Sequence, residues 1–247
     1  MFTPTACRPP RSRAPAALLG MLLAIMLCGC ERARPEQNYF PLTAGLQWQY
    51  RITRTTMDGA RELRYSIAVG QHAVDEPADV RTRVTLDGRR YVYRVNEAGV
   101  YRVAMQGRAG QGQADDDAQQ MVMPAHLQIA QQWQGRTATS VLESSAAPWE
   151  SLFRVHVPLE MRYRVESLSA SVDTPAGHFT RCLLVAGRGS TESELGNGIG
   201  RAKLEITSRE WYAPDVGLVR MERNEQTSAK ALSGGSLVME LDRWSQP

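Results

Sequence analysis

The stretch VRTRVTLDGRRYVYRVNEAGVYRVAM, residues 80–105, reads as three β-strands joined by two tight reversals. Val80, Thr82, Val84 and Leu86 alternate with Arg81, Arg83 and Thr85, and Asp87-Gly88 then supplies the chemistry of a two-residue hairpin. Tyr91, Tyr93 and Val95 resume the alternation, the segment from Asn96 to Gly99 turns the chain again, and Tyr101, Val103 and Met105 form the third strand. A period of two sends successive side chains to opposite faces, and such short reversals force neighbouring strands to be antiparallel.

The same pattern extends both ways. Upstream, Trp48, Tyr50 and Ile52 oppose Gln47, Gln49 and Arg51, and Leu63, Tyr65, Ile67 and Val69 follow the turn Asp58-Gly59. Downstream, a strand is expected from Gly135 to Ser144, and a second sheet region begins near Leu152 and is clear at Met161, Tyr163 and Val165. Leu168, Ala170 and Val172 then fall on even positions, so the inward register must change through a bulge near Glu166-Ser167. The turn from Asp173 to Gly177 feeds a strand from Phe179 to Ala186. Further strands run from Lys203 to Tyr212 and from Leu218 to Glu225, and Leu237, Met239 and Leu241 close the series. Three intervals interrupt it: a loop at 106–119 carrying Asp115, Asp116 and Asp117, a short helix or irregular crossing at 121–134, and a glycine-rich loop from Gly187 to Gly200. Roughly ten to twelve strands are expected, forming one mainly-β domain over 39–247: a large, strongly curved antiparallel sheet or partial β-barrel with few short helices.

The amino terminus has a different character. Arg8, Arg11 and Arg13 precede an apolar run from Ala14 to Leu27 that is short for a membrane-spanning helix, and Leu27-Cys28-Gly29-Cys30 follows. This resembles the bacterial lipobox, with Leu27 three residues before the cut, small Gly29 before it and Cys30 after it. The expectation is a signal peptide over 1–29, lipid attached to Cys30, and a short tether over 30–38. Glu31 follows Cys30 where an aspartate would resemble an inner-membrane retention signal. Outer-membrane anchoring facing the periplasm is therefore expected, with membrane lipid as the first partner.

Removing the three signal-peptide arginines lowers Lys+Arg from 29 to 26, equal to the 26 Asp+Glu. A neutral chain with interspersed charges argues against nucleic acid as a partner. Of the four cysteines, Cys30 is consumed by lipid, and Cys182 lies in an apolar run with no disulfide partner. His72, His126, His156 and His178 show no metal-ligand spacing, the aspartate triplet lacks the alternation of a calcium loop, and no Gly-x-Ser-x-Gly occurs. No cofactor, metal or catalytic residue is expected. The candidate binding surface is an apolar face lined by Trp48, Tyr50, Tyr65, Tyr91, Tyr93, Tyr163, Trp211 and Met221. Met121 and Met123 form a candidate partner segment, since flexible methionines adapt to varied apolar surfaces. These residues suit an apolar ligand or an envelope protein, and equally a filled core with a protein interface elsewhere.

Three segments carry a family resemblance: Tyr39-Phe40-Pro41-Leu42 with Gly45 and Trp48-Gln49-Tyr50, Thr174-Pro175-Ala176-Gly177-His178-Phe179, and the run from Trp211 to Val219. Together they resemble an uncharacterised family of bacterial envelope lipoproteins. The resemblance implies a curved antiparallel sheet around an apolar interior, a shape shared with periplasmic carriers of lipoprotein or lipid.

Overall fold

Side-chain alternation along the chain becomes fourteen strands in a computed structural model that describes residues 37–72, 77–107, 119–144, 154–196 and 198–247. The signal peptide, the lipobox with Leu27, Gly29 and Cys30, and the Asp115–Asp117 triplet lie outside the described residues. The first six strands are β1 (Gln47–Thr56), β2 (Gly59–Val69), β3 (Val80–Thr85), β4 (Arg90–Asn96), β5 (Gly99–Gln106) and β6 (Gln120–Pro124). They are followed by β7 (Gln132–Ala138), β8 (Glu143–Ser144), β9 (Pro158–Thr174) and β10 (Gly177–Leu195). The last four are β11 (Gly200–Ala213), β12 (Gly217–Thr227), β13 (Leu232–Ser233) and β14 (Gly235–Ser245).

Twelve of them form one antiparallel sheet in the order β6-β5-β4-β3-β2-β1-β14-β12-β11-β10-β9-β7, and β8 pairs with β13 in a small second sheet. The large sheet curls until its edges meet, so it is nearly closed into a barrel. Across the seam Gln120 Nε2 donates to the Arg136 carbonyl at 2.8 Å, a side-chain bridge where a closed barrel would have a backbone ladder. No helix occurs among the described residues. Of the helix or irregular crossing expected at 121–134, the irregular crossing is confined to 125–131, and the flanks are strands β6 and β7, because the β6 methionines and Trp133 each have a neighbouring strand.

The tight reversals stand where turn chemistry put them. Thr56 pairs with Gly59, whose φ is 101°, and Asn96 pairs with Gly99. At the β3–β4 turn Thr85 N–H donates to the Arg89 carbonyl at 2.9 Å, with Gly88 at φ 84°. Leu86 belongs to this turn and is 88% exposed, so the expected alternation does not reach it.

Cross-strand partners share a face, so the register assigns the interior. Tyr50 faces Leu241 and Tyr65, Trp48 faces Ile67, and Met221 faces both Met239 and Glu210. Arg83 is opposite Tyr91 and Val69, so arginine rather than Val84 shares the interior with the β4 tyrosines. A bulge at Val103 then brings Arg102 opposite Tyr93 and leaves Tyr101 opposite Arg94, reversing the expected alternation before the bulge, while Met105 stays opposite Tyr91 as expected. The register change expected near Glu166 is present: Leu184 pairs with Ser167 while Val185 pairs with Val165, leaving Glu166 as the extra residue. Beyond it the β9–β10 hairpin folds back, and Ala176 N–H donates to the Leu241 carbonyl at 3.0 Å.

The largest departure from expectation is at Gly187–Leu195, which continues β10 rather than forming a loop. Gly187 and Gly189 face Ser208 and Ile206 across β11 and Tyr163 and Met161 across β9. A Cβ on Gly187 would come within 2.9 Å of the Tyr163 ring, and one on Gly189 within 2.6 Å of Met161 Sδ. These glycines make room for large inward side chains instead of turning the chain.

Candidate functional site

Seven of the eight residues proposed for an apolar ligand face point inward, and six of those seven are packed in core clusters. Trp48, Tyr50, Tyr65 and Trp211 belong to one core cluster with Leu46, Val69 and Leu241, whereas Tyr91, Tyr93 and Tyr163 belong to a second with Phe40, Leu42, Trp133 and Val185. Met221 stands between Met239 and Glu210 and joins neither cluster. Trp211 lies on the other face, opposite Leu184 and Arg220, where it is buried with Cys182, Val172 and Phe179 of the folded-back hairpin. Met123 is buried and Met121 half-buried in the second cluster, so neither presents an open surface.

Polar ends of these aromatics are tied across the barrel. Trp48 Nε1 donates to the Val216 carbonyl at 2.7 Å, and Tyr50 OH donates to the Leu218 carbonyl at 2.9 Å. Burial pushes the phenols of Tyr50, Tyr65, Tyr93 and Tyr163 upward, so all four stay protonated hydrogen-bonding groups. Arg83 lies with Cζ 3.9 Å from the Phe40 ring centroid and 4.7 Å from that of Trp48, and donates to the Pro41 carbonyl at 3.0 Å. One cation thus fastens the 39–42 segment into its end of the barrel.

The other polar group inside is an ion pair. Glu225, 0% exposed, accepts from Ser140 N–H, Val141 N–H, the Ser140 hydroxyl and Arg223 Nε, the last at 2.7 Å. Arg223 also donates to Thr137 Oγ1 at 2.9 Å and to the Ala138 carbonyl. The pair reaches from β12 to the end of β7, so side chains span the interior there. Beside it Glu210 accepts from the hydroxyls of Tyr212 and Ser208, and burial raises its carboxyl above the ordinary range despite those hydrogen bonds and nearby Arg223.

No catalytic constellation assembles among the described residues. Cys182 is buried, its thiol pushed up to about 11 by burial, which disfavours the thiolate. His178 sits at the hairpin tip with Nδ1 2.7 Å from Asp173 Oδ1, not against Cys182. His156 Nδ1 lies 3.1 Å from the Thr139 carbonyl. No group of three or more His, Cys, Asp or Glu among the described residues is placed to hold a metal.

A large cavity among the described residues lies outside the barrel. A groove of about 810 Å³ opens on the outer face of β7, β9, β10 and β11, with Ala186 and Thr207 in its floor and Arg162, Arg164, Arg188, Glu160 and Glu205 among its charged walls. Sequence patterning missed it, because a polar alternation such as Glu160, Arg162, Arg164 and Glu166 reads only as a solvated face.

No curated protein matches the sequence. Two solved structures are similar at low identity. One, named as an exported protein of YmcC-like fold from Bacteroides fragilis NCTC 9343, is 15% identical with a TM-score of 0.39, covering 85% of this chain and 100% of its own. The other, named as a lipoprotein from Parabacteroides distasonis ATCC 8503, is 14% identical with a TM-score of 0.37, covering 86% and 100%. The profile of the DUF3108-like family matches residues 105–235, more than half of the sequence and the whole run from β6 to β13, and the chain belongs to that family.

Proposed function

We propose that this protein is an envelope lipoprotein, anchored through Cys30 to the outer membrane and facing the periplasm, that acts without catalysis by binding an envelope component on the outer face of its sheet. The observation that carries this reading is the placement of space. Aromatic side chains and the Arg223–Glu225 pair fill the interior, and the roomy concavity lies outside it. An apolar cargo inside the barrel would have to displace Trp48, Tyr93 and Tyr163 from packed positions, at a cost of several kcal/mol for side chains of that size. The lipobox supports the anchor, and two or more acyl chains hold a protein at a bilayer far better than one.

Photocrosslinking in the living envelope tests the surface assignment. A photoreactive residue at Thr207, in the groove, should give a discrete adduct, whereas one at Met221, inside the barrel, should give none. An adduct from position 221 alone would overturn the reading. Cys30→Ser should abolish fatty-acid labelling, and persistent labelling would remove the anchor.

A further inference from the structure

The outer groove carries three arginines that make no ion pair within the chain. Arg162 on β9 is directly opposite Arg188 on β10, and Arg164 lies two residues along on the same face. Directly opposed residues of an antiparallel pair have Cβ atoms about 5 Å apart, and like charges there repel. Among the described residues none of the three makes an ion pair, a hydrogen bond or a ring contact. Of the three acids in the groove, Glu166 is 3.9 Å from Arg209, Glu205 pairs with Lys203, and Glu160, opposite Arg136 and two residues before Arg162, makes no ion pair with the three arginines. Neutral hydrogen-bonding side chains flank the cations, Gln134 opposite Arg162 and Thr207 opposite Arg188.

We infer that this groove binds a phosphate group, held between Arg162 and Arg188 with Arg164 completing the positive rim. The inference rests on the reading that the outer face is the binding surface, and names the chemistry of what binds there. A phosphate presents several acceptor oxygens and more than one negative charge, which suits guanidinium forks approaching from two strands better than a single carboxylate does. Bound phosphate turns the Arg162–Arg188 repulsion into a bridge.

Calorimetric titration of the full lipoprotein in neutral detergent micelles tests this, using inorganic phosphate, dihexanoylphosphatidylglycerol and hexaglutamate as probes. Saturable, salt-sensitive binding of the phosphate-bearing probes is expected. Arg162→Gln and Arg188→Gln should each weaken it at least about tenfold while Arg90→Gln, on β4, leaves it unchanged. Both groove variants should melt at or above the parent temperature, since each removes a like-charge contact. Tighter binding of the lipid than of inorganic phosphate identifies a headgroup as the source, and equal binding a free phosphate. No saturable phosphate binding, binding insensitive to both substitutions, or preference for hexaglutamate would each overturn the inference. Crosslinking from Met221 alone would instead defeat the outer-face reading, so the two failures are distinguishable.

Discussion

Replacing Glu225 with glutamine should be among the most damaging single-atom changes available to this chain. The carboxylate is fully buried and takes hydrogen bonds from two backbone amides, one hydroxyl and the Arg223 guanidinium. Glutamine keeps one acceptor oxygen, but its amide nitrogen must face an N–H donor, and Arg223 loses its countercharge while only 12% of its side chain is exposed. Breaking a buried pair from one side costs roughly 3–5 kcal/mol, and the retained oxygen places this change near the lower end, at about 3 kcal/mol. For a domain of this size each kcal/mol lowers Tm by about 2–4 °C, so a fall of about 6–12 °C is expected in thermal denaturation followed by tryptophan fluorescence. Hydrogen exchange should accelerate first at Ser140 and Val141. The double variant Arg223→Met, Glu225→Leu, which removes both charges, should recover most of the loss. A single variant within about 1 kcal/mol of the parent would refute the claim that this pair ties β12 to the end of β7.

Gly187→Ala and Gly189→Ala should each destabilise by about 1–3 kcal/mol in urea denaturation, while Gly196→Ala, with open space around it, should be neutral; three equal effects would contradict the strand assignment. Glu210 has a raised folded-state carboxyl, so its protonated form is favoured by folding. Its contribution is present at low pH and is lost as pH rises through and above about 4.5 towards the folded value. Glu210→Gln should therefore gain stability relative to the parent between pH 4 and pH 7, and an identical Tm difference at both would count against it. Cys182 should resist a thiol reagent at pH 8 until the chain unfolds, and rapid labelling of the folded protein would show that it is not sealed.

Sequence patterning reaches the fold class because turn chemistry is local. Asp58-Gly59 and Asp87-Gly88 specify their hairpins without help from distant residues, and the odd-to-even shift after Val165 announces the Glu166 bulge. It fails where one residue type serves two purposes. Gly59 and Gly88 adopt positive φ in turns, whereas Gly187 and Gly189 yield space to Tyr163 and Met161 from strands far away in sequence, and nothing nearby tells the two apart. Inward Arg83 was equally hidden, since its place depends on the aromatic rings of Phe40, Trp48 and Tyr93 closing around it. For the candidate site, the sequence picks out the aromatic residues but not whether they line a space or fill one. That depends on how tightly the sheet curls, and on Arg223 and Glu225, which in sequence look like two more alternating surface charges.

The most direct test of a filled interior is native mass spectrometry of the protein extracted from its own envelope, with any released small molecules identified after denaturation. The account predicts the mass of the chain from Cys30 with its covalent acyl groups, and no lipid that remains bound after Arg162 and Arg188 are both replaced by glutamine. A stoichiometric apolar molecule retained by that double variant and freed only on unfolding would contradict it, and would make the barrel a carrier.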